Sequence, residues 1–154
     1  MRRHDREVTS ESAKLDILQS CDCCRIGLRD GESVYIVPVN FGFSCENGLL
    51  ELYFHGAGEG RKAELIKADP HAGFEMDSKH ELLTGDSACR YSFRYRSVTG
   101  KGVISRITDP EEKIRALEHI MDHYGSGPWS FDEKALGIVS VWKLTVSEWY
   151  GKEH

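Results

Sequence analysis

The sequence has no apolar run near the roughly 18 to 20 residues that a membrane span requires, and its charged start, Met1 to Glu11, has no apolar core of a secretory signal. These absences point to a cytoplasmic chain without a membrane partner. Excess positive charge is missing too: 20 Lys plus Arg face 25 Asp plus Glu, for a net charge of -5. No global basic field draws nucleic acid, so any anion site has to be local. The cysteines, Cys21, Cys23, Cys24, Cys45 and Cys89, are an odd set without framework spacing, and Cys21-Asp22-Cys23-Cys24 has no second pair to complete a metal site. Free thiols in a reducing compartment are expected. His119 and His123 stand four apart, but the residues between them lack the glutamate of the zincin pattern, so a solvated helix face and no metal is the reading. There is no P-loop, dinucleotide fingerprint, internal repeat or linker.

What is present suits one domain spanning residues 1–154. Of the 154 residues 40% are hydrophobic and 29% charged, and at this length a fold buries roughly 70% of its chain surface without a structural metal or disulfide. Thr9 or Ser10 caps a short helix through about Ser20. From Cys23 the apolar residues alternate, and Asp30-Gly31 and Glu46-Asn47-Gly48 are hairpin signals, so Cys23 to Leu28, Ser33 to Phe43 and Leu49 to His55 read as a three-stranded meander. Arg61 to Ala68 reads as a helix stopped by Asp69-Pro70. His71 to Asp77 is a fourth strand and Ser78 to Cys89 a polar turn or loop. Arg90 to Ile107 is a long strand bent at Gly100 and Gly102. Its Tyr91, Phe93, Tyr95 and Ser97 share one face, expected inside, and Arg90, Arg94 and Arg96 the other, which argues against a nucleic-acid platform.

Asp109-Pro110-Glu111-Glu112 opens the best helix, with Ile114, Leu117, Ile120, Met121 and Tyr124 as its core stripe and Gly125 as its stop. Gly137 to Gly151 is the last strand. The fold class is therefore mainly β with short helices: a six-stranded antiparallel barrel, closed or nearly so.

The chemistry-bearing stretch is Gly56-Ala57-Gly58-Glu59-Gly60-Arg61-Lys62, between a strand and a helix. Glycines admit close backbone approach, a helix start presents unpaired N–H groups, and Arg61 and Lys62 add charge, so a phosphate fits. A mobile glycine turn with two solvated basic residues is the competing reading. His55 beside it can donate to a ligand, shuttle a proton or cap a barrel end. Asn40, an amide in an apolar strand, offers a donor and an acceptor to a ligand edge, or bonds the backbone.

Val37-Pro38-Val39-Asn40-Phe41-Gly42, then Leu52-Tyr53-Phe54-His55-Gly56-Ala57 with Glu59-Gly60-Arg61-Lys62 and Asp69-Pro70, then Tyr95-Arg96-Ser97-Val98, in that order and with the arm Met1-Arg2-Arg3, resemble the nitroimidazole-resistance (Nim) proteins. These belong to the pyridoxamine 5′-phosphate oxidase-like FMN-binding split-barrel superfamily. The resemblance implies a homodimer of split barrels with FMN at the subunit interface. It places Gly60, Arg61 and Lys62 at the flavin phosphate, Pro38, Val39, Asn40 and Phe41 along the isoalloxazine, and His55 near the cofactor as the candidate catalytic residue. Tyr95 and Ser97 would make polar contacts.

The function implied is an FMN-dependent reductase of flat, electron-poor substrates such as nitroimidazoles, fed by a nicotinamide or another reductase. The chain ends soon after Trp149, without the segment by which pyridoxamine phosphate oxidases recognise pyridoxal phosphate, so that oxidase activity is not expected. The alternative function is a non-catalytic flavin- or haem-binding protein that stores, senses or carries its cofactor.

Overall fold

The computed structural model describes residues 3–154; Met1 and Arg2 of the amino-terminal arm lie outside the described residues. The strands are β1 (Glu7–Val8), β2 (Cys24–Asp30), β3 (Ser33–Val39), β4 (Phe41–Glu46), β5 (Leu49–Gly56), β6 (His71–Leu83), β7 (Ser92–Arg106) and β8 (Ser140–Glu153). The helices are α1 (Glu11–Gln19), α2 (Arg61–Ala68), α3 (Pro110–Tyr124) and α4 (Glu133–Ile138). All pairings are antiparallel, in the order β3-β2-β6-β7-β8-β5-β4, with β1 added beside β8.

That order contains the split. β3 and β4 are the two edges of the sheet, yet only Asn40 separates them in the chain. The sheet has to roll up to bring its edges to consecutive residues, and at the seam the connection is covalent rather than a hydrogen-bonded ladder. The expected single strand Ser33 to Phe43 is therefore two, and the meander is two separate hairpins, β2–β3 and β4–β5. The cause is Pro38 beside the seam: it lacks an N–H, and its residue is restricted in φ, which suits an edge strand. This division, together with β1, also raises the strand number above six.

Both hairpin turns follow their sequence signals. Asn47 and Gly48 have φ of 53° and 80°, as a type I′ turn requires. Gly31, at φ 62°, opens the other loop. α1 is capped by Ser10, whose Oγ accepts from Ala13 N, and α3 by Asp109, whose carboxylate accepts from Glu112 N at 2.8 Å.

Four expectations are corrected. β6 continues to Leu83 through a register shift between Ser78 and Glu81, where Lys79 adopts φ 57°, so much of the expected loop is strand. Tyr91 and Phe93, at 51% and 47% exposure, and Tyr95 and Ser97 with them are outside the core, because theirs is the outer face of β7: Val98, Gly102 and Ile104 of the other parity are buried, while Thr99, Lys101 and Val103 are exposed. Met121 and Tyr124 of the expected α3 stripe are exposed, and Ala116 is buried instead. The start of the last strand is α4, whose cap Asp132 accepts from Lys134 N and Ala135 N. β7 and β8 shift register between Lys101 and Gly102, where a bend was expected.

Two cores result. Ile17, Leu18, Ile26, Leu28, Phe41, Leu52, Phe54, Met76, Val98 and Leu144 fill the barrel. Tyr53, Ile107, Ala116, Leu117, Ile120 and Val141 join α3 to the outside of the wall. α3 lies so close to β4 that a Cβ on Gly42 would sit 2.3 Å from the His119 carbonyl. His119 stacks on Tyr53, and His123 packs against Phe41 while its Nε2 lies 2.7 Å from the Cys21 carbonyl. The two histidines thus serve helix packing instead of a solvated face. Among the described residues there is no cluster able to hold a metal, and no helix is long and apolar enough to cross a membrane. Cys21 and Cys24 are buried and free, and burial pushes the Cys21 thiol up to about 11.

Candidate functional site

The site grows from the seam. Strand alternation sends Val39 and Phe41 into the barrel core, while Pro38 and Asn40 stay exposed. Val39 and Phe41 therefore have only main-chain atoms to offer a ligand, and the Phe41 N–H is already donated to the Tyr124 hydroxyl at 3.1 Å. The β4–β5 register pairs Phe41 with Phe54, so its continuation by one residue brings Asn40 opposite His55. Two polar side chains that are 15 positions apart in sequence thereby share one edge.

From His55 the chain enters the glycine loop. Gly60 caps α2 at φ 98°, a conformation that side chains rarely adopt, and no side chain caps the first N–H groups of the helix. The Lys62 ammonium lies directly over Gly56, 2.7 Å from where a Cβ there would stand. Lys62 folds back over the barrel mouth, with Nζ 4.9 Å from the Trp142 ring centre, 5.3 Å from that of Phe54, and 3.5 Å from the His55 carbonyl. Among the described residues no carboxylate pairs with it, and burial lowers its pKa. It is a half-desolvated cation beside Gly56 and at the start of a helix without a side-chain cap, a combination that fits a phosphate.

Arg61 points the other way. It forms an exposed ion pair with Asp30, whose carboxyl it holds below the ordinary range. Exposed pairs of this kind are worth about 0–1 kcal/mol, so Asp30 does not withhold Arg61 from a stronger anion. The His55 imidazole is held below its ordinary value of 6.5 by partial desolvation of the ring and by the Lys62 charge.

Tyr95 and Ser97 are not brought to this loop within the chain. They lie nine or more residues from Arg106, the β7 residue beneath the loop, or about 30 Å along the strand. Tyr95 is instead surrounded by Lys152, Arg6 and His154, and the two cations lower its pKa. Sequence reading missed Arg106 and Ser140, which sit under Gly58; each looks locally like an ordinary strand-end residue, and only the β7–β8 and β5–β8 registers place them there.

The family profile described as pyridoxamine 5′-phosphate oxidase matches residues 10–153. The chain belongs to the pyridoxamine 5′-phosphate oxidase-like family. A solved structure of a candidate 5-nitroimidazole antibiotic resistance protein from Bacteroides thetaiotaomicron is 32% identical, with a TM-score of 0.83, covering 96% of this chain and 86% of that one. A flavocytochrome from Azotobacter vinelandii (20% identity, TM-score 0.82, 100% and 72% coverage) shares the fold. So does an FAD- and haem-binding protein from Mycobacterium smegmatis (21% identity, TM-score 0.82, 96% and 73% coverage). No curated protein matches the chain. The split-barrel architecture expected from the sequence is thus the observed one.

Proposed function

We propose that this family member binds FMN between two copies of the chain and reduces flat, electron-poor substrates of the nitroimidazole type. The observation that carries the flavin reading is Lys62, a half-buried ammonium without a carboxylate partner behind the uncapped start of α2. The 32% identity to the candidate nitroimidazole-resistance protein supports the substrate class.

In this reading Lys62, Arg61 and the N–H groups after Gly60 hold the phosphate, and Arg61 exchanges Asp30 for it. Pro38, Val39, Asn40 and Phe41 form the edge along the ring system, where the Asn40 amide offers both a donor and an acceptor. His55 donates a hydrogen bond at that edge as the neutral imidazole, and would give a proton there as the imidazolium that a bound anion favours. The flavin, when bound, supplies the electron chemistry; the chain orients it and limits water. A nicotinamide or a partner reductase delivers the electrons.

The homodimer rests on two features of the surface. Tyr95 and Ser97 lie far along β7 from the glycine loop, so a second copy would supply them. The outer face of β3, β2 and β6 exposes Val34 at 66% and Ile36 at 64%, beside Gly27 and Gly73, over a groove of about 370 Å³. Such an exposed apolar patch, bordered by the Arg25–Glu75 ion pair, suits an isologous contact.

The test is the affinity for FMN of the Arg61→Ala/Lys62→Ala variant. Charge-assisted contacts are worth roughly 1.5 to 3 kcal/mol each, so a loss of about two orders of magnitude or more is expected. Equal affinity with the fold intact, or a Soret band in the purified protein where a flavin spectrum belongs, overturns the reading.

A further inference from the structure

The outer face of β7 carries a second polar cluster, at the opposite end of the strand from the glycine loop. Tyr95 N donates to the His154 carbonyl at 3.2 Å and His154 N to the Tyr95 carbonyl at 2.9 Å, so the two residues are direct partners across the β7–β8 ladder. Lys152 stands opposite Ser97 on the same face, and β1 runs along its other side, which brings the arm and its Arg6 to the phenol. The Lys152 Nζ is 5.6 Å from the centre of the Tyr95 ring.

The neighbouring carboxylates are engaged elsewhere: Asp77 with Arg25 at 2.6 Å and with His80, Glu81 with Arg94 at 2.8 Å, Glu153 with Arg96 at 2.9 Å, Asp5 with Arg3 at 2.6 Å and Glu7 with His4 at 3.1 Å. The His154 ring turns its Nδ1 to the Phe93 carbonyl. Among the described residues Arg6 and Lys152 have no carboxylate at ion-pair distance, and the Arg6 Nε is buried without an acceptor. Two cations therefore converge on one phenol. Both are donors only, so the Tyr95 oxygen accepts from them and its hydrogen is left for a ligand. Their charge holds the phenol below its ordinary value of 10, which makes it the stronger acid.

Two positions along the same face Phe93 is 47% exposed, with the His80 ring against it at 5.9 Å between centres. An apolar ring beside an acidic phenol and two unpaired cations suits a flat substrate whose substituent gains negative charge as it is reduced. A nitro group is such a substituent. Its reduction to nitroso takes up two electrons and two protons, breaks one N–O bond and releases that oxygen as water. In the proposed reaction both electrons and one proton come from the reduced flavin, and the second proton has to be given at the departing oxygen.

We infer that Tyr95 gives this second proton to a nitro substrate held at the flavin of the other copy, with Arg6 and Lys152 as positioning residues that hold the phenol oxygen. Solvent then returns a proton to the phenolate. The inference rests on the flavin reading and on its two-copy site. To test it, flavin-saturated protein is reduced with one equivalent of dithionite and mixed with 5-nitroimidazole or with ferricyanide, which takes electrons without protons, and flavin reoxidation is followed by absorbance.

Tyr95→Phe lowers the ratio of the nitroimidazole rate to the ferricyanide rate by about 10²-fold. In the wild type that ratio falls on the alkaline side as the phenol loses its proton; Lys152→Met moves the fall to higher pH, and Tyr95→Phe abolishes it. Mixed dimers of Tyr95→Phe with Arg61→Ala/Lys62→Ala regain the fast nitroimidazole rate, because their one FMN faces the intact Tyr95 of the other copy. An unchanged ratio in Tyr95→Phe overturns the inference and leaves the FMN site standing, and so does the absence of recovery in mixed dimers. Wild-type protein that binds no FMN, or whose reduced flavin passes no electrons to 5-nitroimidazole, overturns the flavin reading and the inference with it.

Discussion

The Tyr124 hydroxyl accepts the Phe41 N–H at 3.1 Å across 83 positions of sequence, and donates onward to the Asp22 carbonyl at 2.8 Å. One phenol at the end of α3 thus ties the first residue of β4 to the lead-in of β2. It closes by side chain a barrel whose two edge strands do not pair.

Tyr124→Phe removes that tie and leaves an amide and a carbonyl without their partner. A partly solvated loss of this kind costs about 1 to 2 kcal/mol. Urea denaturation should show it as a lower midpoint with an unchanged slope; an unchanged midpoint would mean that the seam is held by packing alone.

Gly42→Ala forces α3 away from β4, since the new Cβ falls 2.3 Å from the His119 backbone, which cannot rotate aside. The expected cost is about 3 kcal/mol or more, or a drop in Tm of roughly 10 °C. Gly137→Ala is the contrast: nothing lies within 4 Å of its Cβ, and within α4 alanine is the better helix former. A Tm for Gly42→Ala within a degree or two of wild type would refute the close approach.

His55 should titrate below 6.5 in the free protein, because burial and the Lys62 ammonium both disfavour the imidazolium. Binding of an anionic flavin favours the imidazolium and moves the value up. Binding therefore takes up protons, and flavin affinity rises as pH falls toward this window. Ring-proton NMR with and without FMN measures both values, and a free-protein value at or above 6.5 contradicts the assignment. If His55 also gives a proton to the substrate, flavin-replete His55→Ala loses about 10²-fold in turnover.

Val34→Glu with Ile36→Glu places charge on the exposed apolar face of β3 and should yield monomers in light scattering. On the interface reading these monomers also lose stoichiometric FMN. A wild-type monomer that keeps stoichiometric FMN at micromolar concentration contradicts it.

Local chemistry made much of this protein legible from its residues. Asn47-Gly48 specifies a turn with two positive φ values, Asp109-Pro110 starts α3, Asp69-Pro70 follows α2, and Gly60-Arg61-Lys62 marks a helix start with charge beside it. Each rests on a few neighbouring residues whose backbone preferences agree, so no distant partner is needed to read them. The family motifs extend that legibility to the order of the strands' functional residues, though not to which of them meet.

The tertiary structure decided the rest. In the run from Ser33 to Phe43, Pro38 marks an edge strand, but nothing tells that the two halves belong to opposite edges of the sheet, because each half satisfies the same alternation whichever strand it pairs with. Tyr91 and Phe93 show the same alternation as core residues and yet stand outside, since the fold turns their face of β7 outward and Val98, Gly102 and Ile104 inward. Arg106, Ser140 and Lys62 converge on the glycine loop only because two registers, β7–β8 and β5–β8, stack their strand ends at one mouth of the barrel. Ladder register is a property of pairs of distant segments, whereas turns and caps belong to single ones, and this difference divides what the sequence by itself determined from what required the fold.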